Sequence, residues 1–319
     1  MYFPYLRGKQ YELLALKELS DLLGSTAKVI PIIEPVREPE GTGLNRCISS
    51  LMDNAVDFIL VMNPTVGDLK QNSLVSPKIQ SFVERNSDRA PRWNLGLIIE
   101  EHTNVNRLFG SFQQSFSEGR RLTLIHKERF EDTDTLLDAS SRYNRQYDIL
   151  DSNLKRRHYR EFLLDSEAVT LNDPFPSQER NADYPDSLES MFSEEHQFLE
   201  EDHWFGFSDY LTIGKSYTEG GFTPRAVVIH WTYQNGGAGP IMIRHFASDS
   251  NRDTSDVAGK FLEALRKLVV FLNENAIHTR ASEILRYHLE NQTYPGLGIL
   301  KKLSMQNHLE LVSEILSRQ

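Results

Sequence analysis

Of the 319 residues only Cys47 is a cysteine. One thiol forms no internal disulfide and no zinc site of the cysteine type, and it fits a reducing setting inside a cell. Long apolar runs are also missing. Nothing approaches the ~20 residues that cross a bilayer, and the opening MYFPYLRGKQYE has no apolar h-region of a signal peptide. These absences predict a cytoplasmic protein without membrane association. There is no excess of basic residues either. The formal net charge of -10 argues against a broad nucleic-acid surface, because phosphate contacts reward Lys and Arg. A local basic groove stays open. The chain has no GxSxG elbow, no GxxxxGK loop followed by Ser or Thr, and no HExxH helix. Internal repeats and low-complexity tracts are absent.

What remains is a globular composition, 39% hydrophobic and 25% charged, with enough chain for a substantial core. Short apolar runs alternate with helix-period segments. Strands are predicted at 28–36, 57–64, 94–101, 121–128, 147–152, 160–168, 204–214, 225–233 and 240–246. Most are continuous rather than alternating, which suits strands buried on both faces of a parallel sheet. Apolar stripes predict helices over 44–54, 103–116, 186–200 and 255–273, with Thr103 and Ser255 as N-caps. Repeated strand–helix units predict an α/β fold of TIM-barrel-like (β/α)8 type, with an open doubly wound sheet as the alternative. Nine strands compete for eight places. The glycine-rich turn QNGGAGP makes 225–246 a hairpin outside the barrel. Residues 1–24 read as a helical lead-in to a barrel domain over 1–275. Residues 276–319 read as a helical extension packed on the barrel or meeting a partner, and 170–187 as a long loop.

In such a barrel the carboxyl ends of the strands form the active face. The predicted strand ends supply Glu34, Asn63, Glu100 with Glu101, His126 with Lys127, Asp151, Asp165, Asp209 and His230. Glu34, Glu100, Lys127, Asp165, Asp209 and His230 are therefore the candidate catalytic groups. Glu34, Glu100 and Asp165 are the candidate ligands of a hard cation, Mg or Mn, which prefers carboxylate oxygen. Each also has a plain structural reading, since strands end in polar residues. Glu34 can simply neutralise Arg37 or Lys127, and His230 in VVIHWTY can be a satisfied core histidine. Cys47 lies on an apolar helix face. The basic run LKRRHYR at 154–160 suits a phosphate, an acidic partner or plain solvation.

Several stretches also resemble the bacterial and phage "beta protein" family: YLRGKQYELLAL at the start, IIEPV at 32–36, DPFPSQERNADYP at 173–185, FGFSDYLTIG at 205–214, AVVIHWTY at 226–233 and IRHFASD at 243–249. The likeness runs over nearly the whole chain in the family's order. It implies a barrel-type protein of phages, prophages and defence neighbourhoods, encoded beside a second, nuclease-like protein, and it implies no settled reaction. It draws attention to RNADY and GFSDY, so Arg180, Asn181, Asp183, Tyr184 and Tyr210 join Asn63 as candidate ligand-binding residues. Arg clamps phosphate or carboxylate, Asn and Asp orient, and Tyr stacks.

Two functions follow as expectations. One is a ligand- or partner-binding barrel in antiphage defence or toxin control, working with a protein encoded nearby and holding a nucleotide or phosphate ligand. The other is a metal-dependent hydrolase of a phosphodiester or nucleotide. The second requires three of Glu34, Glu100, Asp165 and Asp209 to converge within about 5 Å, as metal ligands do.

Overall fold

Continuous apolar runs hide both strand faces when they pair in parallel beneath a layer of helices. The computed structural model, which describes residues 1–39, 43–86, 88–90, 93–184, 188–220 and 223–318, is built this way. The strands Tyr5–Leu6 (β1), Ile32–Ile33 (β2), Ile59–Val61 (β3), Asn94–Ile99 (β4), Arg121–His126 (β5), Asn144–Asp151 (β6) and Glu167–Asn172 (β7) pair in sequence order, all parallel. The next strand, Glu189–Ser193 (β8), leaves the sheet, and Gly206–Asp209 (β9) takes the eighth place beside β7. A bridge from Tyr2 to Phe207 then joins β9 to the segment before β1, so the sheet is nearly closed. Phe207 O accepts from Phe3 N at 2.8 Å, and Met1 O accepts from Phe207 N at 3.1 Å. Gly206 permits this approach, since a Cβ there would stand 2.5 Å from Met1 O.

Helices Gln10–Thr26 (α1), Gly43–Asp53 (α2), Pro77–Arg85 (α3), Val105–Gln113 (α4) and Thr133–Ser140 (α5) cover the outer face of the barrel. Their apolar stripes are Leu13, Leu16 and Leu19 on α1, Leu44, Cys47 and Leu51 on α2, and Leu108, Phe109 and Phe112 on α4. Beyond the barrel, Val228–Gln234 (β10) and Ile241–Ala247 (β11) form the expected hairpin, and β8 joins it antiparallel. After the short helix Glu195–Phe198 (α6), the chain ends in Val257–Glu274 (α7), Arg280–Glu290 (α8) and Leu297–Arg318 (α9). Ile229, Trp231 and Tyr233 on one face of β10 pack with Phe261, Leu265 and Leu285 of α7 and α8 in a second core. Helix α9 is buried around most of its circumference. Leu300 and Leu303 enter that second core, while Met305, Leu309, Val312 and Ile315 enter the barrel's. No helix among the described residues is long and apolar enough to cross a membrane.

Four local expectations fail for identifiable reasons. Residues 5–6 are a barrel strand, not part of a helical lead-in, because Gly8 turns the chain with φ +63° before α1 begins. Most of 160–168 is not a strand. Arg145 donates to the Phe162 carbonyl and lies over its ring, which holds Phe162–Leu164 in a single 3-10 turn, and β7 starts at Glu167 instead. Of the expected helix 186–200, residues 186–187 lie outside the described residues, as does Pro185. The remainder divides into β8 and α6 because β11 offers an open edge. The N-caps are Asn104 and Asp256, one residue beyond those expected. Thr103 Oγ1 instead accepts from Glu100 N at 2.8 Å.

Candidate functional site at the barrel mouth

Side chains alternate along a strand, so every second residue points into the barrel. Phe3, Tyr5, Ile30, Ile32, Ile59, Val61, Ile98, Ile125, Ile149, Val169, Leu171 and Tyr210 fill the interior as an apolar plug. Two residues beyond the last apolar member of a strand, in the same parity, stand Arg7, Glu34, Asn63, Glu100, Lys127, Asp151 and Asp173. The carboxyl ends of the strands thus carry one polar layer at the mouth.

Glu34 is fully buried at its centre. Five donors reach it: Tyr5 Oη at 2.7 Å, Arg7 Nη1 at 3.2 Å and Lys127 Nζ at 3.3 Å on Oε2, and Thr65 N at 2.8 Å and Thr65 Oγ1 at 3.1 Å on Oε1. Burial alone would raise this carboxyl. Lys127 and Arg7, with the Thr65 and Tyr5 bonds, outweigh it and hold Glu34 below the usual carboxylate range. Lys127 also donates to Thr65 Oγ1 at 3.3 Å, and its Nζ stands 4.9 Å from the Tyr5 ring centre. Burial lowers its ammonium below the ordinary value even though Glu34 pulls the other way. Glu100 is half-buried near Lys127. Burial, with Glu128 and Glu34 adding like charge, raises its carboxyl against the pull of Lys127. On the far side Lys215 Nζ donates to Asp151 Oδ2 at 2.7 Å, and Arg7 Nη2 donates to Lys215 O at 2.6 Å.

Tyr210 completes the mouth. Its ring lies 5.0 Å from that of Tyr5 and 5.4 Å from the Arg7 guanidinium. Its hydroxyl is buried without a partner, and so is Arg7 Nε. Burial, reinforced by Asp151, Glu34 and Asp173, raises the phenol and keeps it protonated.

The expected groups divide between this layer and other places. Glu34, Glu100, Lys127 and Tyr210 come together. Asn63 is in the layer but fully used, since its amide accepts from Ile98 N and donates to Ile98 O, both at 2.8 Å, tying β3 to β4. Asp165 is exposed and precedes β7, so it stands at the opposite end of the barrel. Asp209 has the outward parity. It accepts from Tyr2 Oη at 2.6 Å and meets His308 Nε2 at 3.3 Å, which binds β9 to α9. His126 also points outward, with Nε2 2.7 Å from Asp148 Oδ1. Both oxygens of Glu34 are bonded to donors, and among the described residues no three His, Cys, Asp or Glu side chains are grouped to hold a metal. The carboxylates expected to bind a cation therefore do not form one set. Glu34 pairs with Arg7 and Lys127, not with Arg37.

His230 lies on the second sheet, opposite His245, with their Nδ1 atoms 2.8 Å apart. Tyr184 covers both rings at 4.6 and 4.8 Å. Arg180 and Asp183 are exposed, and Asn181 donates to Ala226 O at 3.0 Å, so this loop braces the second sheet. The basic run 154–160 borders a surface cavity of about 240 Å³ in which Arg157, His158 and Arg160 meet Asp134 and Glu161, with no excess of charge to favour a ligand.

The histidine pair gives a pH prediction. Burial, with His245 and Lys301 adding positive charge, lowers His230 to about 3, and burial lowers His245 to about 4, against an ordinary 6.5. Below the ordinary value the unfolded chain binds protons that the folded chain refuses. Stability is therefore present above that value and is lost on acidification, at up to about 1.4 kcal/mol per pH unit for each group. Urea midpoints of the wild type should fall between about pH 7 and about pH 4.5 more steeply than those of His245→Asn. Parallel profiles would refute the assignment.

Arg7, Thr65 and Lys215 were not anticipated. Arg7 lies in a segment read as a helix, and Thr65 and Lys215 follow strands that end earlier than their apolar runs. The usable signal was parity, which separates Lys127 from His126 and Tyr210 from Asp209. No protein-family model matches the chain, and no curated protein matches it.

Proposed function

We propose that this chain is a ligand-binding barrel that takes a small, acceptor-rich molecule such as a carboxylate or phosphate at its mouth. The observation that carries the reading is the pair of buried donors without acceptors, Tyr210 Oη–H and Arg7 Nε–H, on facing groups at the carboxyl end of the barrel. A guanidinium only donates, and an unsatisfied buried donor costs about 1–3 kcal/mol, so a ligand that bears acceptors supplies the partners these two donors lack. Glu34 does not compete for the ligand, because its oxygens are already taken.

Tyr210→Phe tests this. Removing a hydroxyl that has no partner should leave the melting midpoint unchanged or raise it, by about 1 kcal/mol of stability. A thermal-shift panel of inorganic phosphate, nucleotides and small carboxylates should find a member that stabilises the wild type, with affinity reduced about tenfold in the variant, the worth of one hydrogen bond. A destabilised variant that responds to the panel as the wild type does would sink the reading.

The setting is a separate proposal, supported by the resemblance to the beta protein family. We propose that the barrel acts in antiphage defence or toxin control beside a second, nuclease-like protein encoded nearby. Co-expression with the neighbouring gene and capture of the tagged full chain tests it. Recovery of the chain alone counts against it.

A further inference from the structure

We infer that residues 214–220 are a strap that shuts the barrel mouth and must open for the ligand to reach it. This rests on the ligand-binding reading above and names how access to that site is controlled.

Burial poses the question. Arg7 and Tyr210 are 7% and 1% exposed, so the two donors that await an acceptor are covered. Lys215 lies across Arg7. Its carbonyl accepts from Arg7 Nη2 at 2.6 Å, so the strap offers the guanidinium the kind of oxygen a ligand would bring. Lys215 N donates to Asp173 Oδ2 at 3.1 Å, and Lys215 Nζ donates to Asp151 Oδ2 at 2.7 Å. Burial first, then Asp151, Glu34 and Asp173, raise the Tyr210 phenol, so both acids that Lys215 ties are within electrostatic reach of that hydroxyl. One residue of the strap thus engages the surroundings of both donors.

The strap is held in a way that lets it go. Farther along, Lys9 Nζ donates to Thr218 O at 2.8 Å and stands 4.5 Å from the Tyr217 ring centre. Tyr217 Oη donates to Glu219 Oε1 at 2.6 Å inside the strap, which lets it move as one piece. Water or a ligand oxygen can replace each tie to the barrel. Ile213 packs on the barrel core, but among the described residues no side chain of 215–219 enters any of the three apolar clusters. Lys215, Ser216, Thr218 and Glu219 are exposed, and Gly214 and Gly220, with φ +74° and +78°, stand at the two ends. On either side Leu211 and Thr212, and Ala226 and Val227, are buried. A stretch without an apolar anchor opens far more readily than the elements that flank it, and lids are drawn from such stretches.

The strap also carries a charge. Swung out, it takes the Lys215 ammonium away from Asp151 and Asp173. Closed over a carboxylate or phosphate, it returns that cation to the site. An acidic ligand therefore binds the shut form better than the open one and shifts the strap toward closure.

The test measures access to Arg7 in the full chain. Butanedione modifies guanidinium groups that solvent reaches, and peptide mass mapping gives the rate at each arginine. Wild-type Arg7 should react slowly beside the exposed Arg46. Lys215→Ala removes the tie to Asp151 and should speed modification at Arg7 about tenfold, the worth of one hydrogen bond to a charged group, with Arg46 unchanged. Lys9→Ala loosens the other end of the strap and should act in the same direction, which keeps the test open if the first variant does not fold. Equal rates at Arg7 in the wild type and the folded variants, or no reaction there in any of them, overturns the strap. If a phosphate, nucleotide or carboxylate of the thermal-shift panel still raises the wild-type midpoint, the binding reading survives that result. Faster modification of Arg7 in the variants, with no member of the panel raising the midpoint, leaves a strap that opens and overturns the binding reading.

Discussion

Glu34→Gln is expected to cost the fold about 3–5 kcal/mol, the usual loss when one partner of a buried ion pair is removed and the other charge stays behind. Here two charges stay behind. Arg7 and Lys127 both lean on Oε2, as does the Tyr5 hydroxyl, and a glutamine offers them half the acceptor capacity and a new N–H2 that faces other donors. The loss has a pH signature. In the variant Lys127 has no counter-charge, so its folded value falls further below the unfolded 10.5. Between the two values the unfolded chain holds a proton that the folded chain has given up. Stability therefore rises with pH across that window, and the gap to the wild type narrows in alkali. Urea titrations at neutral and alkaline pH measure both effects. Adding Lys127→Met to Glu34→Gln should recover part of the loss, because it removes one of the two stranded cations. A single variant within about 1 kcal/mol of wild type would show that the cluster is not holding the barrel.

The second large effect concerns the end of the chain. A protein ending at Gly296 should have no cooperative thermal transition. Helix α9 was expected either to wrap the barrel or to await a partner, yet it lies between α1, α8 and β10 and supplies Leu300, Leu303, Met305, Leu309, Val312, Ile315 and Leu316 to two cores. At about 1.5–3 kcal/mol for each buried side chain the helix contributes on the order of 10–20 kcal/mol, as much as the entire net stability of ordinary domains. Its polar residues are also committed. His308 reaches Asp209 at 3.3 Å and Thr232 at 3.1 Å, and Asn307 donates to Thr232 O at 2.8 Å. Circular dichroism of the shortened chain decides the matter. A sharp melt would mean that the barrel stands without α9 and that the helix is free for other contacts.

The barrel was legible because burial on both strand faces leaves an unbroken apolar run, and IILVM-like runs separated by amphipathic stretches have few other packings. The strand Tyr5–Leu6 was not legible. Two ladder residues are too short for any period, and the adjoining helical pattern of α1 absorbed them. Asp165 was misplaced because REFLLDSEA has a strand's composition, while a cation over Phe162 turns it into a helical turn. At the mouth, Glu34, Glu100 and Lys127 were visible as strand ends. Their relation was not, because the pairing of Glu34 with Arg7 joins residues brought together by β1 and β2, and β1 was unseen. Tyr210 was named as a ring that stacks, but that its hydroxyl lacks a partner is a property of packing alone.

One consequence belongs to the birth of the protein rather than to its finished form. Tyr2 is held by Asp209, and Asp209 by His308, in a bonded path that spans almost the full length of the chain. On the ribosome the first strand emerges long before the residues that hold it. Its apolar residues Phe3 and Tyr5 pack in the barrel interior with Val169, Leu171 and Tyr210, so they stay only partly covered until those have been made. Closure of the sheet thus awaits β9, and a nascent chain arrested before it presents an open sheet edge at its N-terminal strand, the surface on which holdase chaperones and aggregation compete.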